Sequence, residues 1–155
     1  MAAQMNYNFS TPKGVVGGKY DLAFDEVVTR SNENENGVMK FGLAVAQGTN
    51  VGHGVIVPVT GTTADKIEGI TLCTPTEQDT DGNVVIKKNA TLGIMKHGNV
   101  WGRLANGVTP VYGNTAYVVV SGDDAGAFTT ETSGTIDIGA KFGNASDDGI
   151  AVITL

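Results

Sequence analysis

The residues best placed to do chemistry are few. "GVVGGKY" (Gly14–Tyr20) approaches a phosphate-binding loop, in which backbone N–H groups cradle phosphate and a Ser or Thr after the lysine binds magnesium. The spacing fails, because that loop needs four residues between its glycines, and Gly14 is one residue too close to Gly18. Tyr20 follows Lys19 where the hydroxyl ligand belongs. "DTDGN" (Asp79–Asn83) has the alternating oxygens of a calcium loop, but its glycine comes fourth and its twelfth position is Ala90. A tight turn at Asp81-Gly82 accounts for it, with weak adventitious calcium binding the remaining alternative.

His53 and His97 each sit beside glycine in an expected turn, without a second ligand at metal spacing. Cys73 is the single cysteine, and at the end of an apolar strand it reads as a small buried hydrophobe. A nucleophile would need a base and an orienting group, so a hydrolase built on Cys73 or a histidine is the distant alternative. The pairs Asp123/Asp124 and Asp147/Asp148 are adjacent in loops, where neighbouring carboxylates diverge into solvent. No catalytic residue, cofactor or metal is expected. Trp101 invites a sugar-stacking role. Strand alternation in "NVWGRL" puts Val100, Gly102 and Leu104 on one face and Trp101 with Arg103 on the other. Such a Trp–Arg pair is either an interface anchor or an ordinary surface cation–π contact.

The elements that must position these residues are short strands. Glycine reaches 22 of 155 residues, twice the usual ~7%, and charged residues fall to 17%. That composition favours tight turns over long helices. Expected strands are 26–30, 41–47, 55–59, 67–72, 84–87, 90–95, 100–104, 116–120, 127–130, 135–142 and 150–154. Pro58 marks a strand end or an edge. "KHGN" and "SGDDAG" are expected to close hairpins. In "YDLAFDEVVTR" a near-helical spacing competes, and the upstream glycines and terminal "VVT" favour extended chain. The pattern is that of a single all-β domain, sandwich or barrel.

Net charge is −6 with a pI near 4.7, which argues against nucleic acid or an anionic membrane as partner. The charge is uneven. Gly82–Gly122 holds Lys87, Lys88, Lys96 and Arg103 without an acid, whereas Asp123–Leu155 is strongly acidic. The two regions either complement each other within the fold or complement a neighbouring molecule. The lone cysteine permits no intrachain disulfide and suits folding in a reducing cytosol. The opening residues lack the apolar core of a signal peptide, and no apolar run approaches the ~20 residues of a membrane span.

"NYNFSTPKGVVGGKYD" (Asn6–Asp21) is too irregular for an element and too rich in aromatics for a solvated tail. With "EVVTRSNENENGVMKFGLAVAQG", "KIEGITL", "ATLGIMKHGNVWGRLANGVTPVYGNTAYVVVSGDDAGAFTT" and "AKFGNASDDGIAVITL", it resembles the structural cement, or decoration, proteins of tailed-bacteriophage heads. The likeness runs over nearly the whole chain and lies in the order of the blocks, most tellingly Gly93–Tyr117.

The resemblance implies a jelly-roll-like β-sandwich, made in the host cytoplasm, acting as a dimer or trimer on the outer capsid surface of the virion and bridging neighbouring major capsid subunits. On that reading residues 1–19 form an N-terminal arm with a glycine hinge, and residues 20–155 form the sandwich domain. Tyr7, Phe9, Tyr20 and Phe24 are the expected anchors, Pro12 lowers the arm's entropy in the free state, and Trp101 with Arg103 forms a further contact. Tyr20 and Phe24 have a second reading as core residues. The rival function is a lectin-like or tail-associated binding module using Trp101, Tyr112 or Tyr117.

Overall fold

The computed structural model describes residues 14–74, 84–144 and 148–155. The "DTDGN" turn and Asp147 lie outside them, as do Tyr7, Phe9 and Pro12. The described chain is all-β. Its strands are β1 (Glu26–Asn32), β2 (Ala44–Gln47), β3 (Gly54–Ile56), β4 (Ile67–Thr71), β5 (Thr91–His97), β6 (Asn99–Arg103), β7 (Thr115–Val119), β8 (Phe128–Thr129), β9 (Thr135–Phe142) and β10 (Ile150–Thr154). The only helical piece among the described residues is a single 3₁₀ turn, Ala64–Lys66. "YDLAFDEVVTR" is not helical: residues 21–23 bend, and its last five residues, 26–30, are the start of β1.

Of the two architectures open to short strands, the first half takes the barrel. Five strands close in the order β1-β3-β2-β4-β5. Closure comes from a parallel contact, Ser31 beside Gly54 and Asn32 beside Val55, and from the long antiparallel pairing of β1 with β5. The other strands form a sheet in the order β6-β10-β9-β7-β8. Its outer strands approach each other where Leu104 bridges Phe128 and Ala105 N–H donates to the Phe128 carbonyl at 2.9 Å.

Alternation along the barrel strands feeds two cores. Val45, Leu92 and Ile94 pack with Met39, Phe41, Val55 and Ile86 in one cluster. Their strand neighbours Ala44 and Met95, with Ile70, join Val118, Phe128, Phe142 and Ile153 of the second sheet in another. Successive side chains of a strand point to opposite faces, so the barrel wall is apolar on both. Phe128 and Phe142 are almost fully buried, and each such side chain contributes roughly 1.5–3 kcal/mol of burial.

Three expectations need correction. "KHGN" closes no hairpin: β5 pairs with β1 and β4, whereas β6 pairs with β10. Gly98, at φ +127°, passes the chain from one sheet to the other, and its N–H and C=O both face Leu155. Asp25 and Met95 crowd the position where a Cβ would stand, so the crossing needs glycine. Residues 84–87 form no strand, although Ile86 is buried. Cys73 is exposed, not buried. Strand β4 ends at Thr71, and the Cys73 backbone pairs with the Gly17 carbonyl at 2.8 Å while its thiol meets solvent. The "SGDDAG" hairpin forms as expected between β7 and β8.

Asn32 and Glu33 find backbone partners at the barrel closure. Buried Asn32 donates to the Lys87 carbonyl at 3.0 Å and accepts from Asn34 N–H at 2.9 Å. Glu33 accepts from the backbone N–H groups of Thr49 and Asn50 at 2.6 and 2.8 Å, and a Cβ at Gly48 or Gly54 would strike its carboxylate. Those donors, Asn50 first, hold the Glu33 carboxyl below the usual carboxylate range. A depressed native pKa stabilises the fold above the unfolded value and loses that contribution as pH falls through the native one. Urea melts should therefore show Glu33→Gln less stable than wild type near neutrality, with the gap closing below about pH 4.

Gly69, at φ +149°, sits where the pairing of β2 with β4 shifts register, and a Cβ there would overlap the Met95 carbonyl. Gly69→Ala should cost about 3 kcal/mol or more through overpacking and strain. In a melt of a chain this size that lowers Tm by roughly 6–12 °C.

Candidate functional site

Residues 14–25 form a strap along the outer strand β6. Gly17 N–H donates to the Trp101 carbonyl at 2.7 Å, Trp101 N–H to the Gly18 carbonyl at 2.9 Å, and Tyr20 N–H to the Asn99 carbonyl at 2.9 Å. Lys19 and Val100 make an antiparallel bridge. Glycine is required for this approach. A Cβ on Gly14 would overlap the indole of Trp101, and one on Gly17, at φ +75°, would lie 2.7 Å from the Cys73 nitrogen. The glycines that resemble a phosphate loop are thus spent on laying backbone against a tryptophan.

Trp101 is consequently 8% exposed. Tyr20 meets its ring edge-on, centroids 5.6 Å apart at 72°. Any sugar stacking on Trp101 would have to displace Gly14 and Tyr20 from it.

Beyond Tyr20 the strap is pinned and its apolar side chains are not. Asn99 Nδ2 donates to Asp21 Oδ2 at 2.8 Å, Ala23 N–H to Asp21 Oδ1 at 3.1 Å, and Lys19 pairs with Asp25. Leu22 is fully exposed, Phe24 is 89% exposed and Tyr20 47%. None of the three is a core residue. Large apolar groups held in solvent on a fixed loop are a candidate interaction surface. Leu22 escaped sequence reasoning although its signal is visible: Tyr20, Leu22 and Phe24 alternate with Asp21, Ala23 and Asp25.

Arg103, two residues along β6 from Trp101, meets different surroundings. Its Nε donates to the Phe41 carbonyl at 3.0 Å, and it lines a cleft of about 580 Å³ between the barrel and the β7–β8 turn. Burial lowers the pKa of its guanidinium. Lys40, Asp123 and Asp124 line the same cleft, a juxtaposition of distant segments that no local pattern announces.

Elsewhere, the basic middle pairs with the N-terminal half. Lys88 reaches Glu35 at 2.6 Å and Lys96 reaches Glu26 at 3.8 Å. Cys73, His53 and His97 stand on separate elements, and no hydrogen bond joins the cysteine to either histidine. Among the described residues no three His, Cys, Asp or Glu side chains gather as a metal site. Tyr112 is exposed in the turn before β7, and Tyr117 is half-buried on that strand.

The family described as structural cement protein (E217 gp24/Pam3 gp6) matches residues 3–155. The chain belongs to that family. The resemblance carried by the ordered sequence blocks is thereby borne out. Among solved structures, a chain from "The capsid of Myoviridae Phage XM1" is similar in fold, with TM-score 0.76 and 13% identity, covering 99% of this chain and 97% of that one. No curated protein matches the sequence.

Trp101 is the single tryptophan, so its fluorescence reports the strap directly. Gly14→Val should lift the strap from the indole, shifting emission to the red and raising acrylamide quenching about twofold or more as the ring gains solvent. Unchanged quenching would show that the ring is not covered at this position.

Proposed function

We propose that this protein is a virion component that binds the outer surface of an assembled phage head, bridges neighbouring major capsid subunits and stabilises the shell. The match to the cement family over residues 3–155 carries this reading. The exposed Tyr20, Leu22 and Phe24 on a pinned loop support it. The role is structural and not enzymatic, and it requires neither cofactor nor nucleic acid.

The physics is mass action. A protein that binds the assembled lattice and not free subunits stabilises the lattice. Engaging two subunits at once makes the second contact intramolecular and multiplies modest affinities. Self-association as a dimer or trimer would extend the same advantage.

In this proposal residues 1–13 form the reaching part of the arm, with Tyr7 and Phe9 as anchors and Pro12 as a stiffener. The strap from Gly14 leads it off the domain, and Trp101 serves as the platform that orients Tyr20. Ordering an arm costs about 1–2 kcal/mol per residue. Anchors already held by the fold, such as Phe24, avoid most of that cost.

Heads stripped of this protein test the proposal. The full chain should bind them saturably and raise the temperature at which they release DNA. Removal of residues 1–13 should leave a folded β protein that no longer protects heads. Leu22→Ala with Phe24→Ala should weaken binding about tenfold or more, with the Tm of the free protein within about 1–2 °C of wild type because both side chains are exposed. Heads equally fragile with and without the full chain would overturn the proposal.

A further inference from the structure

The cleft between the barrel and the β7–β8 turn holds two cations and two acids, and among the described residues neither cation has an ion-pair partner. Arg103 is half-buried, and its bond from Nε to the Phe41 carbonyl fixes the guanidinium plane. Among the described residues its terminal Nη donors have no hydrogen bond or ion pair. Lys40 lines the same cleft, likewise without an ion pair. Removing a guanidinium from water is costly unless a partner compensates it, and a planar fork held in place matches the two oxygens of a carboxylate.

The cleft's own acids do not fill that role. Asp124 Oδ2 accepts from Asn106 N–H at 3.0 Å, and Asp123 is exposed on the turn. Neither pairs with Arg103. Apolar walls from Leu43, Pro58 and Val120 flank the fork, and Val38 and Val59 stand 49% and 56% exposed beside them. The cleft volume, about 580 Å³, is in the range that holds a short peptide stretch.

We propose that this cleft receives an acidic side chain carried on an apolar, extended segment of the partner protein, with its carboxylate in the Arg103 fork and its neighbours against Leu43, Pro58 and Val120. Charge selects this occupant. With Asp123 and Asp124 against Lys40 and Arg103 the cleft has no extended positive field, and the chain's net charge is −6. A polyanion such as nucleic acid is therefore not favoured, whereas a single carboxylate needs only the one fixed fork. Residues 1–13 of this chain contain a lysine and no acid, so they supply no carboxylate. One isolated carboxylate flanked by apolar groups fits both the fork and the walls. That the partner is a shell subunit rests on the proposed function. The carboxylate site itself does not.

Two acetylated, amidated tripeptides, Val-Glu-Val and Val-Gln-Val, test the site on the ¹⁵N-labelled full chain without any variant. The Glu peptide should shift the Arg103 Nε–H resonance and the amides of Leu104 and Val120, binding about tenfold or more tighter than the Gln peptide. Equal binding of both peptides, or no shift in the cleft, overturns the carboxylate site.

On stripped heads, Arg103→Gln should bind about tenfold or more weakly and with reduced salt dependence, and Lys40→Gln, at an exposed position, should reduce the salt dependence alone. Normal head binding by folded Arg103→Gln would overturn the shell subunit as occupant. So would a self-association that Arg103→Gln abolishes, which would make a second copy the occupant. Failure of the wild-type chain to bind heads, with the peptide result intact, would remove the proposed function and leave the carboxylate site standing.

Discussion

The structure depends on the closure of the barrel at β1 and β3. Only two residue pairs make that parallel contact, Ser31 with Gly54 and Asn32 with Val55, and the surroundings over-determine it. Asn32 spends its amide on two backbone groups, the Lys87 carbonyl and the Asn34 N–H. Glu33 captures the N–H groups that lead into β3, and glycines at 48 and 54 leave room for its carboxylate. Closure removes the free edges of these strands, so the barrel cannot recruit a partner by adding a strand.

The same closure explains why the strands serve two cores. A barrel wall with apolar groups on both faces needs cover on its outer side, and the second sheet supplies it through Phe128, Phe142 and Ile153. The chain enters that sheet at Gly98 without pairing back on β5. Strand β6 then lies where both bodies meet. Gly102 faces Ile153 and Phe128 so closely that a side chain would not fit, while Trp101 and Arg103 are left for the strap and the cleft.

Much of this was legible in the residues. Alternation and Gly/Asp/Asn turns locate nearly every strand, because those signals are local. The face of β6 carrying Val100 and Gly102 followed from a period of two. Barrel against sandwich was not legible, because both are built from the same short alternating strands and differ only in which edges meet. The β5–β6 junction misled for a related reason: a glycine bend between two strands looks the same whether the chain turns back or crosses over. Cys73 misled because a strand-end residue takes its environment from what packs beside it, here a backbone pairing with Gly17 that arrives from far along the chain. At the site, Tyr20 and Phe24 were visible as costly aromatics, whereas the cleft was not. Lys40, Arg103 and Asp123 are brought together only by the tertiary fold.

The placement of Trp101 and Arg103 bears on how such a protein could bridge. They alternate along one strand, so their Cα atoms stand roughly 7 Å apart. The strap runs antiparallel to β6, so its exposed Phe24 lies toward the Asn99 end and the cleft lies at the Arg103 end. The two features border the two ends of a single element. On the proposed reading, sites of different character held on one strand, one apolar and one anion-seeking, suit a seam where two surfaces of a shell come together. On the proposed reading the domain sits over that seam, and longer reach falls to the residues that precede the strap. Rigidity of β6 then matters as much as the contacts themselves, because both sites gain from a geometry set before binding.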